Sequence, residues 1–536
     1  MDFNIILSRF DETDFAKILG KQTITLLGML HPNGLPRSMM REIVTNNFSL
    51  DALLLDRTKR ELVVRVLREE EAKNLCIHLD LSSINPFDSL LNEGFKNTRT
   101  RKNLVRFFSD ELASSGSNSD AKPVESMESI RASYGLFQHQ MKAVNDLENR
   151  FTENSRLLLH MPTGSGKTRT AMSFLARYLS KRQTVVIWLA HNEELCEQAY
   201  SEFSRAWQAQ GNRTLTSQRY WGQHEAHYTS LSDGLLVAGI QKFFGRIRDD
   251  SQAIYQLGER ASLIIMDEAH QAIAPTYQSV LELLTILNSK DSRLLGLSAT
   301  PGRTWNNFDE DRKLSEFFDR QKVTLTVDGY DNPVDYLTDQ GYLARAKFRS
   351  LLHEADYLDR NVIASIELET DIPPSILRKL TEDDFRNMKI IDEVKELVTR
   401  HRRIILFAAS VEHAEILGYC IQAEGINCSV VTSDTSKSIR RDSIERFRSD
   451  EPEPMVLSNF GIFTTGFDAP TTSAAVIARP TKSLVLYSQM IGRVLRGPNA
   501  GGNRTAEIVT IVDRGLPGFA DMAEAFVNWE EIWEDD

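Results

Sequence analysis

The stretch Met161–Thr168, MPTGSGKT, sets two glycines, a lysine and a threonine at a spacing that could do chemistry on phosphate. Gly164 and Gly166 let the backbone turn tightly, so that successive N–H groups point at one anion. The helix expected from Lys167 through TRTAMSFLARYL offers that anion its positive N-terminus. Lys167 would reach the β- and γ-phosphates of a nucleotide, and the Thr168 hydroxyl would ligate Mg²⁺. Pro162, Thr163 and Ser165 complete the loop, so the expected nucleotide-binding segment runs through Gly166 to Thr168. The pattern G-x-x-x-x-G-K-[ST] asks for glycine where this chain has Met161. Read alone, the stretch has a bland alternative, a Gly-Ser turn ahead of an ordinary helix.

A second stretch weighs against that alternative. LIIMDEAH, Leu263–His270, is an apolar strand pattern that ends in two carboxylates. Asp267 would hold Mg²⁺ through its water shell, and Glu268 would orient and deprotonate an attacking water. An Asp-Glu pair can also cap a surface helix. That reading loses weight at the end of a buried strand downstream of a phosphate loop.

These groups need elements to hold them. RLLLH, Arg156–His160, supplies the strand ahead of the loop. Short apolar runs alternate with helical patterns from there on: TVVIWLA (Thr184–Ala190), GLLVAGI (Gly234–Ile240), SLIIMDE (Ser262–Glu268) and LLGLSAT (Leu294–Thr300). Continuous apolar strands with helices between them indicate a parallel sheet buried on both faces. The texture returns in RIILFAAS (Arg403–Ser410), NCSVVTS (Asn427–Ser433), PMVLSNF (Pro454–Phe460) and SAAVIAR (Ser473–Arg479), so two α/β domains in tandem are expected. Residues 1–112 read as a small, mostly helical accessory domain, with a capping box in TKREL, Thr58–Leu62. Residues 113–130, with SSGSNSDAKPVES inside them, read as a linker. The first α/β lobe is then 131–305, a charged helical connection 306–385, and the second lobe 386–536. The end of that lobe, AFVNWEEIWEDD, pairs Trp529 and Trp533 at helical spacing.

Bulk properties bound the answer. At 536 residues the chain exceeds one core, and 41% apolar with 26% charged residues suits a soluble globular protein. No apolar run is long enough to span a bilayer, and the start, MDFNIILSRFDETD, lacks the cationic n-region of a secretory signal. The four cysteines form no C-x-x-C pair, which argues against a zinc ribbon or iron–sulfur cluster and suits a reducing compartment, so a cytoplasmic location is expected. With a net charge of −12, nucleic acid would have to be met by a local basic groove. KNTRTRKNLVRF, Lys96–Phe107, is basic enough to touch nucleic acid or a partner; a solvated helix face is the plainer reading.

In chain order MPTGSGKT, DEAH, SAT (Ser298–Thr300), TTGFDAP (Thr464–Pro470) and QMIGRVLR (Gln489–Arg496) form a series. It resembles motifs I, II, III, V and VI of the superfamily 2 helicases and translocases, over about residues 131 to 515. Members of that superfamily often carry another residue where Met161 stands. LFQHQMKA, Leu136–Ala143, resembles the Q motif of the ResIII-type branch. DEAHQAIAPTY and LGLSATPGR resemble the motor subunits of type I and type III restriction enzymes and related bacterial repair or defence helicases.

The resemblance implies two RecA-like lobes that hydrolyse ATP with Mg²⁺. Lys167, Asp267 and Glu268 act with Arg493 and Arg496 as arginine fingers, Gln140 reads adenine, and Gly466 and Asp468 join the nucleotide site. His270, Ser298, Thr300 and Gln489 couple hydrolysis to movement. Ala190 and His191 (in AHNEEL, Ala190–Leu195), Gln241, Ser433 and Thr464 grip the phosphate backbone, contacts that carry no sequence information. Motif VI opens with Gln489, unlike the His-Arg opening of DEAD-box RNA helicases. DNA is the implied track, in bacterial defence or repair; an RNA helicase, or an ATP switch that clamps nucleic acid without travelling, remains open. No H-N-H run or P-D…(D/E)-x-K nuclease pattern stands out, so a partner nuclease or other defence subunit is expected at the N-terminal domain or the C-terminal helix, and no membrane. Three positions depart from the family: Asn192 stands where Arg is usual, Gly239 where Thr is common, and Phe137 replaces an Arg near Gln140. The first two remove a charge and a hydroxyl from the track, which weakens the grip unless other basic residues compensate; activity with a modest salt slope is expected.

Overall fold

The structure is a computed structural model. It describes residues 3–32, 34–48, 50–93, 95, 98–108, 134–226, 230–249, 251–287, 292–299, 308–325, 327, 329–330, 332–354, 371–461, 469–514 and 516. Along the chain the strands are β1 (Arg156–His160), β2 (Val185–Ala190), β3 (Thr216–Tyr220), β4 (Gly234–Gly239), β5 (Ala261–Asp267), β6 (Arg293–Ser298), β7 (Lys322–Thr324) and β8 (Arg345–Glu354). They continue with β9 (Arg403–Phe407), β10 (Cys428–Val431), β11 (Met455–Asn459), β12 (Ala474–Ile477) and β13 (Thr505–Arg514). The chain divides into two compact units, one of Met1–Glu128 with Ser375–Gly461 and one of Ser129–Pro374 with Ile462–Asp536.

The second of these units carries a seven-stranded parallel sheet in the order β3-β4-β2-β5-β6-β1-β7. Its strands alternate their side chains between two cores. Leu157 and Leu159 of β1 and Trp188 of β2 enter one core with Phe174, Leu175 and Leu179 of the helix Lys167–Lys181. Leu158 and Ile187 enter the other with Phe243, Leu281 and Phe318. Both faces are closed by helices, which is why these strands read as unbroken apolar runs. The same unit holds three further parallel strands in the order β12-β13-β8.

The other unit holds β10, β11 and β9 as neighbouring parallel strands. Its N-terminal part is helical, with nine helices among the described residues between Phe3 and Phe108. They pack on the helices Asp384–Leu397 and Val411–Ala423: Gln22 donates to Asp384 at 2.7 Å, Asn47 to Gln422 at 2.8 Å, and the Phe48 and Tyr419 rings lie 6.1 Å apart. The chain is therefore α/β, with two parallel-sheet lobes of RecA-like type in tandem and a helical N-terminal region.

All eight apolar runs read after RLLLH in the sequence contain strands. Polar strands escaped that reading. β3 (TSQRY) and β7 (KVT) form the two edges of the large sheet, and β8 (RAKFRSLLHE) is mostly exposed. Such a strand needs no continuous apolar run. Two of them fall in 306–385, which sequence reading took as helical; that segment has helices at Phe308–Phe317 and Pro333–Asp339 but also β7 and β8. The capping box at Thr58 also needs correction. The helix Arg57–Arg65 starts earlier and is capped by Asp56, whose carboxylate accepts from the Lys59 N–H at 3.0 Å and from the Thr58 hydroxyl at 2.5 Å. The linker expected at 113–130 and the helix expected around Trp529 and Trp533 lie outside the described residues. No helix among the described residues is long and apolar enough to cross a membrane.

Candidate nucleotide site

β5, β6 and β1 are adjacent, and the register sets their carboxyl ends side by side: Asp267 pairs with Leu297, and His160 with Ser298. The phosphate loop leaves β1 at this point, the two carboxylates close β5, and Ser298 closes β6. Parallel α/β sheets bind ligands in the crevice outside these strand ends.

Met161 sits at the start of the loop, fully buried in the core, with its N–H donated to the Ser298 carbonyl at 3.1 Å. Its backbone needs no left-handed conformation, so nothing at this position requires the glycine of the usual pattern. Gly164 and Gly166 do need theirs, at φ +88° and +89°. A side chain at Gly164 would meet Leu343 Cδ2 at 2.8 Å, and one at Gly166 would overlap the Gln140 amide. Ser165 is buried; its hydroxyl donates to the Pro162 carbonyl at 2.6 Å. Its own carbonyl accepts from Gln140 Nε2 at 2.9 Å and lies 3.2 Å from His139 Nε2. Gln140 Oε1 in turn accepts the Phe137 N–H at 3.0 Å. Gln140 and His139 thus hold the loop from outside. Thr163 Oγ1 is buried with no hydrogen-bond partner among the described residues.

Lys167 opens the helix Lys167–Lys181, with Thr168 beside it in the first turn. Lys167 Nζ lies 3.8 Å from Asp267 and 3.7 Å from Glu268, all three groups being largely buried. Burial pushes the Asp267 carboxyl up to about 6, and Glu268 adds to this while Lys167 opposes it. Burial also works against charge on Glu268. There Lys167, His270, His191 and Arg493 outweigh it and hold the carboxyl below its usual range. Two neighbouring carboxyls are therefore driven apart, one kept ionised and one left short of positive charge. Glu268 has a left-handed backbone, φ +52°, which turns the chain into the short helix Ala269–Gln271. His270 Nδ1 lies 3.4 Å from Glu268 Oε2.

The turn after the helix Leu484–Ile491 meets the phosphate loop. Gly492 is in close contact with Thr163, where any side chain would overlap. Arg496 Nη1 donates to the Gly164 carbonyl at 3.5 Å, and Arg493 is near enough to stabilise charge on Glu268. The site thus gathers Lys167, Asp267, Glu268, His270, Ser298, Gln140, Arg493 and Arg496 from separate parts of one unit. Gln489 is half-buried on the helix that leads to the arginines.

The residues expected to grip nucleic acid are more scattered. Ala190 ends β2, His191 follows it, and Gln241 is exposed in the first turn of the helix Ile240–Asp249. Ser433 belongs to the other unit, exposed after β10, with its hydroxyl 3.0 Å from Asp434. Thr300, Thr464, Gly466 and Asp468 lie outside the described residues. Two family departures have local reasons. Asn192 caps the helix Glu193–Gln210, accepting the Leu195 N–H at 2.8 Å. A Cβ at Gly239 would meet Trp221 Cβ at 3.3 Å.

Residues 133–303 match the family described as type III restriction enzyme, res subunit, and residues 387–498 match the helicase conserved C-terminal domain. The chain belongs to the superfamily 2 helicases of the ResIII type. It is 29% identical to the putative ATP-dependent helicase IRC3 of Saccharomyces cerevisiae over 387 residues, 67% of this chain and 49% of that one. It is 25% identical to the type I restriction enzyme EcoAI endonuclease subunit of Escherichia coli over 385 residues, 67% of this chain and 44% of that one. The helicase thus spans about half the length of these relatives. A DNA-bound structure of the type ISP restriction-modification enzyme LlaBIII superposes with a TM-score of 0.50 at 17% identity, covering 71% of this chain and 28% of that one. At that identity the likeness concerns the fold.

Sequence reading missed His139 and Leu343, which lie against Ser165 and Gly164 of the loop. The first is the neighbour of a predicted site residue, and the second sits in a segment that carries no motif.

Proposed function

We propose that this helicase is a nucleic-acid-dependent ATPase that moves on DNA. The observation that carries the reading is the placement of Lys167 between Asp267 and Glu268 with Arg493 and Arg496 at the same loop. That is the set of charges a triphosphate needs at both its bridging and terminal oxygens.

The residues suit a divalent cation. Asp267 is a buried carboxylate whose Lys167 partner stands at 3.8 Å, beyond a close ion pair, and Thr168 adds a hydroxyl in the adjoining helix turn. Magnesium held by Thr168 and Asp267 would neutralise phosphate charge. When a nucleotide enters, Lys167 exchanges its two carboxylates for phosphate oxygens, and the loop N–H groups bind the rest. Glu268, ionised at neutral pH, accepts a proton from the attacking water. Arg493 and Arg496 stabilise the charge that develops as the terminal phosphoryl leaves. His270, against Glu268, is placed to sense that charge change, and Ser298 does so from the next strand end.

DNA as the track is supported by the restriction-enzyme family match and by Gln489 at the opening of motif VI. RNA has a specific observation of its own: 20% identity over 393 residues to the putative ATP-dependent RNA helicase QP509L of African swine fever virus, covering 70% of this chain and 69% of that one. The restriction-enzyme relatives extend the reading to bacterial defence, and the sequence reading extends it to repair as the alternative, a cytoplasmic location and a partner subunit at the N-terminal domain or the C-terminal helix. Triplex displacement tests movement. ATP-dependent release of a third strand from duplex DNA, modestly sensitive to salt, is the expected result. ATP hydrolysis without displacement on DNA would leave a clamp, and displacement or unwinding confined to RNA would reassign the track.

A further inference from the structure

Among the described strands β8 is the last of its sheet, in parallel register with β13 from Arg345↔Thr505 to Glu354↔Arg514. Side chains alternate between the two faces of such a pair, so Phe348 and Leu352 share one face with Ile508 and Val512 of β13. Over β13 the helix Leu484–Ile491 closes part of that face: its Tyr487 hydroxyl lies 3.3 Å from Thr510 Oγ1, and Ile508 is fully buried. Over β8 the cover stops. Phe348 is 48% exposed and Leu352 51%. Strands of a parallel sheet are normally covered on both faces, so this apolar pair marks a place for a further element.

Charge on β8 is graded along the strand. Arg345, Lys347 and Arg349 occupy its first half, and Glu354 ends it. Glu507 takes up Arg349 at 3.4 Å, whereas Asp339 stands 3.9 Å from Arg345 in a loose, exposed pair. Arg504 lies beside Arg345, whose N–H donates to its carbonyl at 3.0 Å, and Arg345, Lys347 and Arg504 are all exposed. The sequence that follows β13 has the complementary grade. The Leu516 N–H donates to the Asp513 carbonyl at 3.2 Å and turns the chain at the far end of β8, where Arg514 meets Glu354 at 2.5 Å. Residues 517–536, outside the described part of the chain, carry seven acidic side chains and no lysine or arginine, and five of the acids fall in Glu530–Asp536. Phe519, Met522, Phe526, Trp529 and Trp533 recur at alternating spacings of three and four, the period of one helix face. A helix over Phe519–Asp536 is about 27 Å long, against roughly 33 Å for a strand of the length of β8.

We propose that residues 519–536 form a helix that runs back along β8, laying its apolar stripe over Leu352 and then Phe348 and bringing Glu530–Asp536 to Arg345, Lys347 and Arg504. Long basic side chains reach round the edge of a last strand, so the charges meet although Lys347 and Phe348 point to opposite faces. Exposed ion pairs contribute little to stability. The apolar stripe therefore supplies the attachment, and the charges choose the direction, since the reverse one sets the acidic end against Glu354. A partner that takes this C-terminal helix must first lift it from β8.

The test uses the full chain and a single new thiol. All four native cysteines are buried, so Leu352→Cys supplies the one that a maleimide reaches first. With the C-terminal residues intact that thiol should label about tenfold more slowly, or slower still, than with Trp529→Ala and Trp533→Ala added, and independently of protein concentration. Arg345→Glu with Lys347→Glu should speed labelling by a smaller factor. Glu530→Lys, Glu531→Lys and Glu534→Lys together should restore the slow rate in that background and speed labelling in the parent. Each variant is first checked to melt as the parent does, and Phe348→Cys gives the same comparison where Leu352→Cys disturbs the fold. Equal labelling rates in all variants would overturn the inference. So would shielding that grows with protein concentration, which gives the face to a second copy, or shielding that appears only on adding DNA or RNA, which gives it to nucleic acid.

Discussion

At the carboxyl ends of β5, β6 and β1, charged side chains face one another across gaps of 3.7 and 3.8 Å. At the carboxyl ends of β9 and β11, in the other unit, polar side chains are tied together. Asn459 donates to the Leu406 carbonyl at 3.1 Å, and its own carbonyl accepts the Ala408 N–H at 2.9 Å. Just beyond, the Ala409 N–H donates to His413 Nδ1 at 3.0 Å, and His413 Nε2 lies 2.9 Å from Asn387 Oδ1, whose amide donates to the Thr381 carbonyl at 2.9 Å. Because His413 Nδ1 accepts, its Nε2 must carry the proton, and burial together with Arg386 holds the ring neutral, well below its usual pKa. Both strand ends are buried and polar. They differ in charge and pairing: around His413 neutral groups pair with one another, although Asn459 Oδ1 is buried with no hydrogen-bond partner among the described residues, while the open ends of β5, β6 and β1 carry charge to offer a ligand.

The largest effects that could break this contrast are in the open site. Lys167→Ala and Glu268→Gln should each lower ATP turnover on the order of 10³-fold or more while the protein still melts cooperatively. A lost fold would make the charges structural after all. Arg496→Ala should follow, lowering turnover about 10³-fold while changing ATP affinity only a few-fold; parallel losses of affinity would put its role in binding. The closed network should behave in the opposite way. Asn387→Ala leaves His413 Nε2–H unpaired in a dry site, so unfolding should become about 2–3 kcal/mol easier, with turnover per folded molecule within about twofold of the parent. A selective loss of turnover would show that this network also takes part in the chemistry.

The smallest effect sharpens the contrast from the N-terminal helices. Glu71 accepts both Arg9 nitrogens, at 2.6 and 2.8 Å, and that hydrogen-bonded pairing lowers its carboxyl to about 2 from an ordinary 4.5. A depressed carboxyl stabilises the fold fully above 4.5 and ceases to do so as pH falls through about 2. Glu71→Gln should therefore cost about 1 kcal/mol at neutral pH and flatten the acid limb of stability over that window. An unchanged acid limb would place the pair among surface bridges that contribute nothing.

Much of the open site was legible in the sequence because each group ends an apolar run: Lys167 after RLLLH and its loop, Asp267 after LIIM, Ser298 after LLGL. Burial on both faces makes such strands visible, and the register then brings their ends together. Met161 was legible as an anomaly, and its burial beside Ser298 supplies the reason it is tolerated. The contact of Gln340–Ala344 with the turn that carries Arg496 was not legible. The Ala344 N–H donates to the Leu495 carbonyl and the Gly497 N–H to the Tyr342 carbonyl, pairings far apart in the chain that leave no periodic trace. Polar edge strands such as TSQRY escaped for the related reason that solvent, not apolar neighbours, covers part of their surface. Nor could the sequence reveal that the N-terminal helices pack on Asp384–Leu397 and Val411–Ala423, since Gln22, Asn47 and Phe48 belong to no motif.

The central claim is that the open strand ends form an ATP-hydrolysing site that answers to nucleic acid. Steady-state ATP hydrolysis, measured without nucleic acid and with single-stranded DNA, duplex DNA and RNA, tests it most directly, with Lys167→Ala as the blank. The account predicts turnover that rises with DNA and vanishes in the variant. Hydrolysis that is absent, or that ignores every nucleic acid, would contradict it.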